Sequence, residues 1–168
     1  MNHEHWSRRM FLVLFLASIL WSAGVFAAPL LFSAGKTTEG VMLRFLYSPI
    51  CHQDVDRSFS LAGYPLSVCQ RCSSIYLAFT AVLAVVPLLR RTTLPTELRL
   101  HGLMLFLLPM GVDYIFDIAG LWSNTMVSRS ITGAFAGIGL ALFIVPAWRE
   151  AWKCSGKRII TNNRTYST

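Results

Sequence analysis

Apolar residues occur along this chain in long continuous stretches, with little of the periodicity that marks a half-buried strand or a one-sided helix. Four such stretches cover about 10–32, 73–89, 100–122 and 130–148. Each is close to the ~20 residues that a helix needs to cross a hydrocarbon core ~30 Å thick. The pattern predicts an all-α membrane protein with four transmembrane helices in a single domain, 1–168.

The composition agrees with lipid as the solvent. Of the 168 residues, 54% are hydrophobic and 14% are charged, whereas a soluble domain usually carries about 25% charged residues. The formal net charge of +7 raises the question of nucleic acid as a partner. The basic residues, however, lie in short runs at the ends of apolar stretches, where membrane orientation requires them. We therefore expect a lipid bilayer and no nucleic acid.

The distribution of charge predicts the orientation. The amino terminus, the loop 90–99 and the basic tail 149–168 together hold ten Lys or Arg and three acidic residues. The opposite side holds five of each. The positive-inside rule then places both termini in the cytoplasm and the loop 33–72 outside, in the cell (inner) membrane.

The first apolar stretch has a second interpretation. Residues 7–12 match most of a twin-arginine export signal, and Ala27 precedes a possible cleavage point. Apolar character continues to Phe32, which is long for a signal peptide and favours a retained helix. Either interpretation leaves the loop 33–72 outside.

This loop contains three of the four cysteines. Cys51 is followed by His52, and Cys69 and Cys72 form a C-x-x-C. Three sulfurs and one imidazole are the donors of a tetrahedral Cys3His zinc site, although His52 is alternatively a base beside the metal. An odd number of thiols in an oxidising compartment leaves one unpaired, which a structural disulfide does not explain. Cys154 lies in the basic tail, where we expect a reduced bystander.

A redox role is the alternative. Cys69 and Cys72 stand where the second membrane helix begins, and a helix amino terminus beside Arg71 lowers a thiol pKa. Four membrane helices with a C-x-x-C opening the second resemble the quinone-coupled disulfide oxidases. That resemblance implies a quinone cofactor and makes Cys69 and Cys72 the quinone-proximal pair. Those oxidases carry a second cysteine pair in a later outer loop, which 123–128 lacks.

Acidic residues occur inside the third apolar stretch. Asp113 and Asp117 share one helix face in its outer half, one turn or more beyond Pro109. An acid at that depth needs a partner or a wet cavity, and it is a candidate functional residue. Arg129 and Arg71 are the candidate partners, although an ion pair that only fixes helix packing is an equal alternative. We expect an outward-facing cavity lined by five polar residues: Asp113, Asp117, Asn124, Arg129 and Arg71.

Three shorter patterns concern helix packing and local structure. Gly133 and Gly137 form a G-x-x-x-G that permits close helix packing, within one chain or in a homo-oligomer. Residues Glu39 to Tyr47 predict a short amphipathic helix lying on the membrane, which Pro49 ends. Residues Ser60 to Pro65 predict a turn that returns the chain to the C-x-x-C.

The motifs together resemble a family of small prokaryotic membrane proteins known as a domain of unknown function. The resemblance covers roughly Phe45 to Gly137 and rests on C-H, C-x-R-C and Arg-x-x-Thr-Gly, here Cys51-His52, 69–72 and 129–133. Ser74 stands where the family usually has glycine, and Asp117 where a glutamine is expected. The resemblance implies the membrane class and the choice of residues, without an activity.

The sequence thus predicts an outward Cys/His site that binds a metal, zinc, with Cys51, His52, Cys69 and Cys72 as ligands. Metal-assisted catalysis on a lipid or an exported protein is the corresponding activity, with catalytic roles for His52, Asp113, Asp117 and Arg129 and binding roles for Arg71 and Asn124. The alternatives are a quinone-coupled thiol-disulfide oxidoreductase and a non-catalytic assembly or transport subunit with a structural zinc.

Overall fold

The chain is mostly helical, as its apolar stretches predict. The computed structural model describes the backbone of 3–85 and 96–165, and the side chains of 9–85 and 100–147. These parts form five helices and one small antiparallel hairpin: α1 His3–Ser33, α2 Thr37–Tyr47, β1 Ser60–Leu61, β2 Tyr64–Pro65, α3 Gln70–Val85, α4 Thr96–Ile118 and α5 Met126–Thr165. The predicted turn at Ser60 to Pro65 is the connection of this hairpin.

Three of the described helices are long and apolar enough to cross a membrane, at Arg9–Ser33, Leu100–Ile118 and Met126–Ala147. These three candidate spans confirm the prediction of a multi-pass membrane protein. The second predicted span corresponds to α3, an apolar helix with 16 described residues. Residues 86–95, with most of the predicted cytoplasmic loop, lie outside the described residues.

Glycine ends two of these helices, α1 at Gly35 with φ +76 and α4 at Gly120. At the end of α4, Gly120 has φ +67. The N–H groups of Leu121 and Gly120 donate to the carbonyl oxygens of Phe116 and Asp117, at 3.1 and 3.2 Å. This is a Schellman motif, whose left-handed residue is usually glycine. The predicted span to residue 122 was therefore too long, and Trp122 lies in the loop after the helix.

At the other end of the chain the helix is longer than predicted. The sequence predicts a span at 130–148, whereas α5 begins at Met126 and continues to Thr165. The backbone of most of the basic tail thus continues the last helix. The side chains beyond Ala147, including the tail's basic residues and Cys154, lie outside the described part.

The glycine pattern of α5 packs against α3 of the same chain. A Cβ atom at Gly133 would lie 2.6 Å from the carbonyl oxygen of Arg71, and one at Gly137 would overlap the carbonyl oxygen of Ile75. The two backbones therefore approach closely along this face. The homo-oligomer predicted for the same face stays a prediction, but the face is already occupied within the chain.

We expect Gly137→Ala to destabilise the protein by about 1–3 kcal/mol, because the added methyl group forces α3 and α5 apart. Thermal unfolding in detergent measures the effect. Gly111→Ala on α4 is the matched control, since a Cβ there meets no atom within 4 Å. Equal melting temperatures for the two variants would contradict this packing.

The segment between α1 and α3 packs against α1. The hydroxyl of Tyr47 donates to the carbonyl oxygen of Trp21 at 2.7 Å, and the Phe32 ring contacts the backbone of Gly40. The short helix predicted at Glu39 to Tyr47 is confirmed as α2. It packs along the second half of α1, because Tyr47 contacts the ring of Trp21 at one end of α2 and Gly40 contacts the ring of Phe32 near the other.

Candidate metal centre

Three cysteines come together where the loop that follows α2 meets α3. Cys51 follows the end of α2, Cys69 immediately precedes α3 and Cys72 lies in its first turn. Their Sγ atoms all lie within 4.8 Å of one another. All three are free thiols. The grouping predicted from the C-H and C-x-x-C motifs is confirmed for the sulfurs.

The helix start explains the arrangement of the C-x-x-C pair. The carbonyl oxygen of Cys69 accepts the N–H of Ser73 at 3.0 Å, so Cys69 caps the helix. Residues three apart at a helix start lie on one face, which places the Cys69 and Cys72 side chains together. The chain from α2 then brings Cys51 to the same point.

Backbone N–H groups hold the sulfur of Cys51. Its Sγ accepts hydrogen bonds from the N–H of Cys69 at 3.2 Å and of Gln53 at 3.5 Å. Hydrogen bonds from the Cys69 and Cys72 thiols, followed by these backbone donors, hold the pKa of Cys51 well below its ordinary value. Stabilised thiolate is the form of cysteine that binds metals and acts as a nucleophile.

An apolar cluster surrounds the sulfurs on the protein side. Cys51 is only 7% exposed and packs among four buried side chains: Val25, Tyr47, Leu66 and Val68. Their packing excludes water from this side of the site. Low local polarity strengthens electrostatic interactions between thiolates and a bound cation.

Hydrogen bonds of Gln53 stabilise the loop that carries Cys51. Its amide nitrogen donates to the carbonyl oxygens of Arg44 and Ser67, the latter at 2.9 Å, and Arg44 donates to the carbonyl oxygen of Gln53 at 3.0 Å. These bonds hold Gln53 at φ +55, a conformation unusual for a residue other than glycine. Sequence reasoning missed this role. The sequence feature that could have indicated this role is the position of Gln53 directly after Cys51-His52.

His52 is separate from the sulfur group. Its side chain is exposed, and the group of possible metal ligands among the described residues contains the three cysteines without it. The structure thus provides three sulfur donors, where the sequence predicted these three and an imidazole.

The two acidic residues of α4 each have an arginine partner. Asp113 pairs with Arg71, whose guanidinium also lies 5.6 Å from the ring centre of Tyr114. Asp117 pairs with Arg57 at 3.4 Å and accepts the N–H of Asn124 at 3.3 Å. The predicted pairing of Arg71 is confirmed.

Arg129, the other predicted partner of the aspartates, forms no ion pair with the side chains of 9–85 and 100–147, and its Nε atom is buried without a partner. Arg57, rather than Arg129, pairs with Asp117. A loop residue sixty positions from Asp117 could not be assigned to it from sequence spacing.

A shallow groove lies beside these ion pairs. It has a volume of about 400 Å³ and is mostly apolar, and seven residues line it: Leu108, Pro109, Val112, Asp113, Phe116, Trp122 and Asn124. Of the five residues predicted to line a cavity, Asp113 and Asn124 do so. Arg71 and Asp117 contact these two, whereas Arg129 lies in the first turns of α5.

Comparison with known proteins identifies the family. Residues 51–143 match the family described as "Predicted membrane protein (DUF2085)". The chain belongs to this family. The match begins at Cys51 and includes the other two clustered cysteines, the groove and most of the membrane-spanning part of α5.

The chain matches two archaeal relatives over most of their length. An uncharacterized protein of Methanocaldococcus jannaschii is 28% identical over 151 residues, which are 85% of this chain and 95% of that protein. An uncharacterized protein of Methanothermobacter thermautotrophicus is 38% identical over 103 residues, which are 61% of this chain and 88% of that protein. No solved structure gives a significant match. The predicted resemblance to a family of small prokaryotic membrane proteins is confirmed.

Proposed function

We propose that this family member is a four-helix membrane protein whose extracytoplasmic face carries a zinc ion bound by Cys51, Cys69 and Cys72. The observation behind the proposal is that the three sulfurs lie within 4.8 Å of one another as free thiols. Sulfurs bonded to one zinc ion at ~2.3 Å in tetrahedral geometry are about 3.8 Å apart. A small contraction of the group is therefore enough to bind the ion.

The donor type favours zinc. Thiolates bind zinc, copper(I) and iron-sulfur clusters, whereas magnesium and calcium take oxygen donors. A structural zinc site normally has four protein ligands, and a catalytic site has three with one open position. Because His52 lies outside the sulfur group, three sulfur ligands leave the fourth position for water or substrate.

Metal-assisted chemistry is the activity that fits such a site. A zinc-bound water becomes a nucleophile near neutral pH, and the ion polarises a carbonyl or phosphoryl oxygen. His52, which follows Cys51 in the chain and has an exposed side chain, would act as the base. The groove with Asp113 and Asn124 would receive the substrate, a lipid or an exported protein.

The directions of the helices support four spans. Ser22 of α1 contacts Thr80 and the carbonyl oxygen of Tyr76 on α3, at 3.0 and 3.4 Å, and Thr80 donates to the carbonyl oxygen of Ser18 at 3.3 Å. Residue numbers thus rise along α3 as they fall along α1. Gly133 and Gly137 of α5 meet Arg71 and Ile75 in the same order. Helices α1 and α3 are therefore antiparallel and α3 and α5 parallel, as four alternating spans with both termini in the cytoplasm require.

We expect the detergent-purified protein to contain about one zinc per chain, and His52→Ala to retain it, since that side chain lies outside the sulfur group. Elemental analysis and counts of free thiols before and after chelation measure both. Thiols that become reactive only after chelation would indicate that the cysteines are the ligands. Loss of zinc from His52→Ala would restore the Cys3His assignment and remove the open position.

A redox function is the second candidate, because the stabilised Cys51 thiolate lies next to two further thiols. Oxidation of Cys69 and Cys72 to a disulfide would release two electrons and two protons, which reduce a quinone to a quinol. Purified protein without metal, with Cys69 and Cys72 joined in a reducible disulfide, would support this function over zinc binding.

A further inference from the structure

We propose that α2 lies within the outer leaflet of the membrane, with one face against lipid acyl chains, and that the cysteine site is recessed beneath the membrane surface. This goes beyond the proposed function and does not depend on which chemistry the thiols perform. Three features of the packing support it, namely the direction of α2, the depth of the site among the helices and the bonding of the loop backbone. The exposed apolar face of α2 is further support.

The first feature is that α2 returns along α1 toward the middle of the membrane. Near its start, Gly40 meets Phe32, which is next to the last residue of α1. At its end, Tyr47 contacts Gly24 and bonds to the carbonyl oxygen of Trp21. Residue numbers rise along α2 as they fall along α1, so the two helices are antiparallel. The end of α2 therefore lies deeper than its start.

The second feature is the level of the sulfurs relative to the three candidate spans. Cys51 packs in the cluster of Val25, and eight residues of helix, about 12 Å, separate Val25 from the end of α1 at Ser33. Arg71, between Cys69 and Cys72, pairs with Asp113, which is about 8 Å from the end of α4.

Helix α5, the last of the candidate spans, indicates a similar depth for the cysteine site. The backbone of Arg71 lies against Gly133, about 10 Å from the start of α5 at Met126. All three long helices thus extend roughly 10 Å beyond the cysteine site on the same side. A site on the surface of the membrane would lie at their ends.

The exposed face of α2 is suited to lipid. Four large apolar side chains on it are between 55% and 74% exposed: Val41, Met42, Phe45 and Leu46. Arg44, in the last turn of the helix, donates to the carbonyl oxygen of Gln53, and Glu39 lies in the first turn. The exposed face of α2 is therefore formed mainly by apolar side chains.

The third feature is the bonding of irregular backbone at this depth. Within a membrane, non-helical backbone is tolerated only where protein or enclosed water satisfies its polar groups. Pro29 has no N–H, so the carbonyl oxygen of Val25 lacks its helical donor, and the N–H of Ser67 donates to it at 3.4 Å. The side-chain amide of Gln53 donates to the carbonyl oxygen of Ser67, and the Cys51 sulfur accepts the N–H of Cys69, so these backbone groups of the loop are paired as well.

The consequence concerns access to the site. From its deepest part the loop rises again, since Tyr64 stacks on Phe32 with ring centres 5.6 Å apart and Arg57 reaches Asp117 near the end of α4. The hairpin thus lies near the outer ends of the helices while the sulfurs lie below it. If the proposed zinc chemistry holds, its substrate reaches the site from within the membrane, as an amphiphile does.

The test measures the environment of α2 in liposomes. A ketone-bearing amino acid is incorporated at Phe45 and, separately, at Met42, and a nitroxide is attached to it so that the native thiols stay unmodified. We expect relaxation by oxygen to be strong and relaxation by a water-soluble nickel chelate weak at both positions. The oxygen-to-chelate ratio at Phe45 should match that of a lipid-facing control at Leu105, which is 69% exposed on α4.

A label at Val55, which is 59% exposed in the loop, is the water-facing control and should show the reverse pattern. Several-fold lower ratios at Phe45 and Met42, equal to that at Val55, would overturn the proposal. Because zinc content is measured on the same preparations, failure of the depth proposal and failure of zinc binding are separate outcomes.

Discussion

Each of the substitutions Cys51→Ser, Cys69→Ser and Cys72→Ser should lower the affinity for zinc by more than ~100-fold. The three sulfurs form one group within 4.8 Å, and two remaining thiolates cannot hold the ion as three do. Loss of a residue that only orients a ligand already costs 10–100-fold, so loss of a ligand costs more. Elemental analysis after dialysis against a graded chelator measures the affinity.

Cys154→Ser is the matched control, because it removes one thiol from the carboxyl-terminal segment and should leave the zinc content unchanged. Coupled loss in all three cluster variants is the expected pattern. If Cys51→Ser kept its zinc while the other two lost it, Cys51 would be a neighbour of the metal and the three-sulfur site would be wrong.

Asp113→Asn should destabilise the folded protein by about 3–5 kcal/mol. The side chains of Arg71 and Asp113 are only 15% and 11% exposed, so the substitution leaves a buried guanidinium without its counter-charge. Since whole proteins are stable by only 5–15 kcal/mol, the melting temperature in detergent should fall clearly. Arg71 lies between two of the clustered cysteines, so the zinc affinity should fall as well.

The matched control is Asp54→Asn, the same change in an exposed ion pair with Arg57. Those side chains are 46% and 47% exposed, and such pairs contribute about 0–1 kcal/mol. The double variant Arg71→Met with Asp113→Leu removes both charges and should recover part of the loss. Equal melting temperatures for Asp113→Asn and Asp54→Asn would show that the buried pair is not important for stability.

Much of the site could be predicted from residue types and local spacing. The C-x-x-C at the start of a helix places two sulfurs on one face because helix geometry is regular. Asp113 and Asp117 share a face for the same reason. Buried acids in an apolar helix also require partners, which made Arg71 a reasonable prediction.

The errors come from interactions between distant parts of the chain. His52 was expected as a fourth ligand or as a base beside the metal, and the group of three sulfurs does not include it, because successive residues in irregular backbone need not point to one site. The pairing of Arg57 with Asp117 could not be predicted, since nothing local in the sequence connects the two residues. The end of α4 was placed too late because the apolar stretch continues past Gly120, whose left-handed conformation ends the helix.

The sequence by itself determined that this protein resides in a membrane, and it located the three cysteines and the buried acids. These properties depend on residue type and on spacings of three or four residues, which a helix converts directly into shared faces. Only the tertiary structure decided that α2 returns along α1, that Gln53 and Ser67 satisfy the loop backbone, and that the glycine face of α5 receives α3. These contacts join residues far apart in sequence, and close packing of the helices selects them.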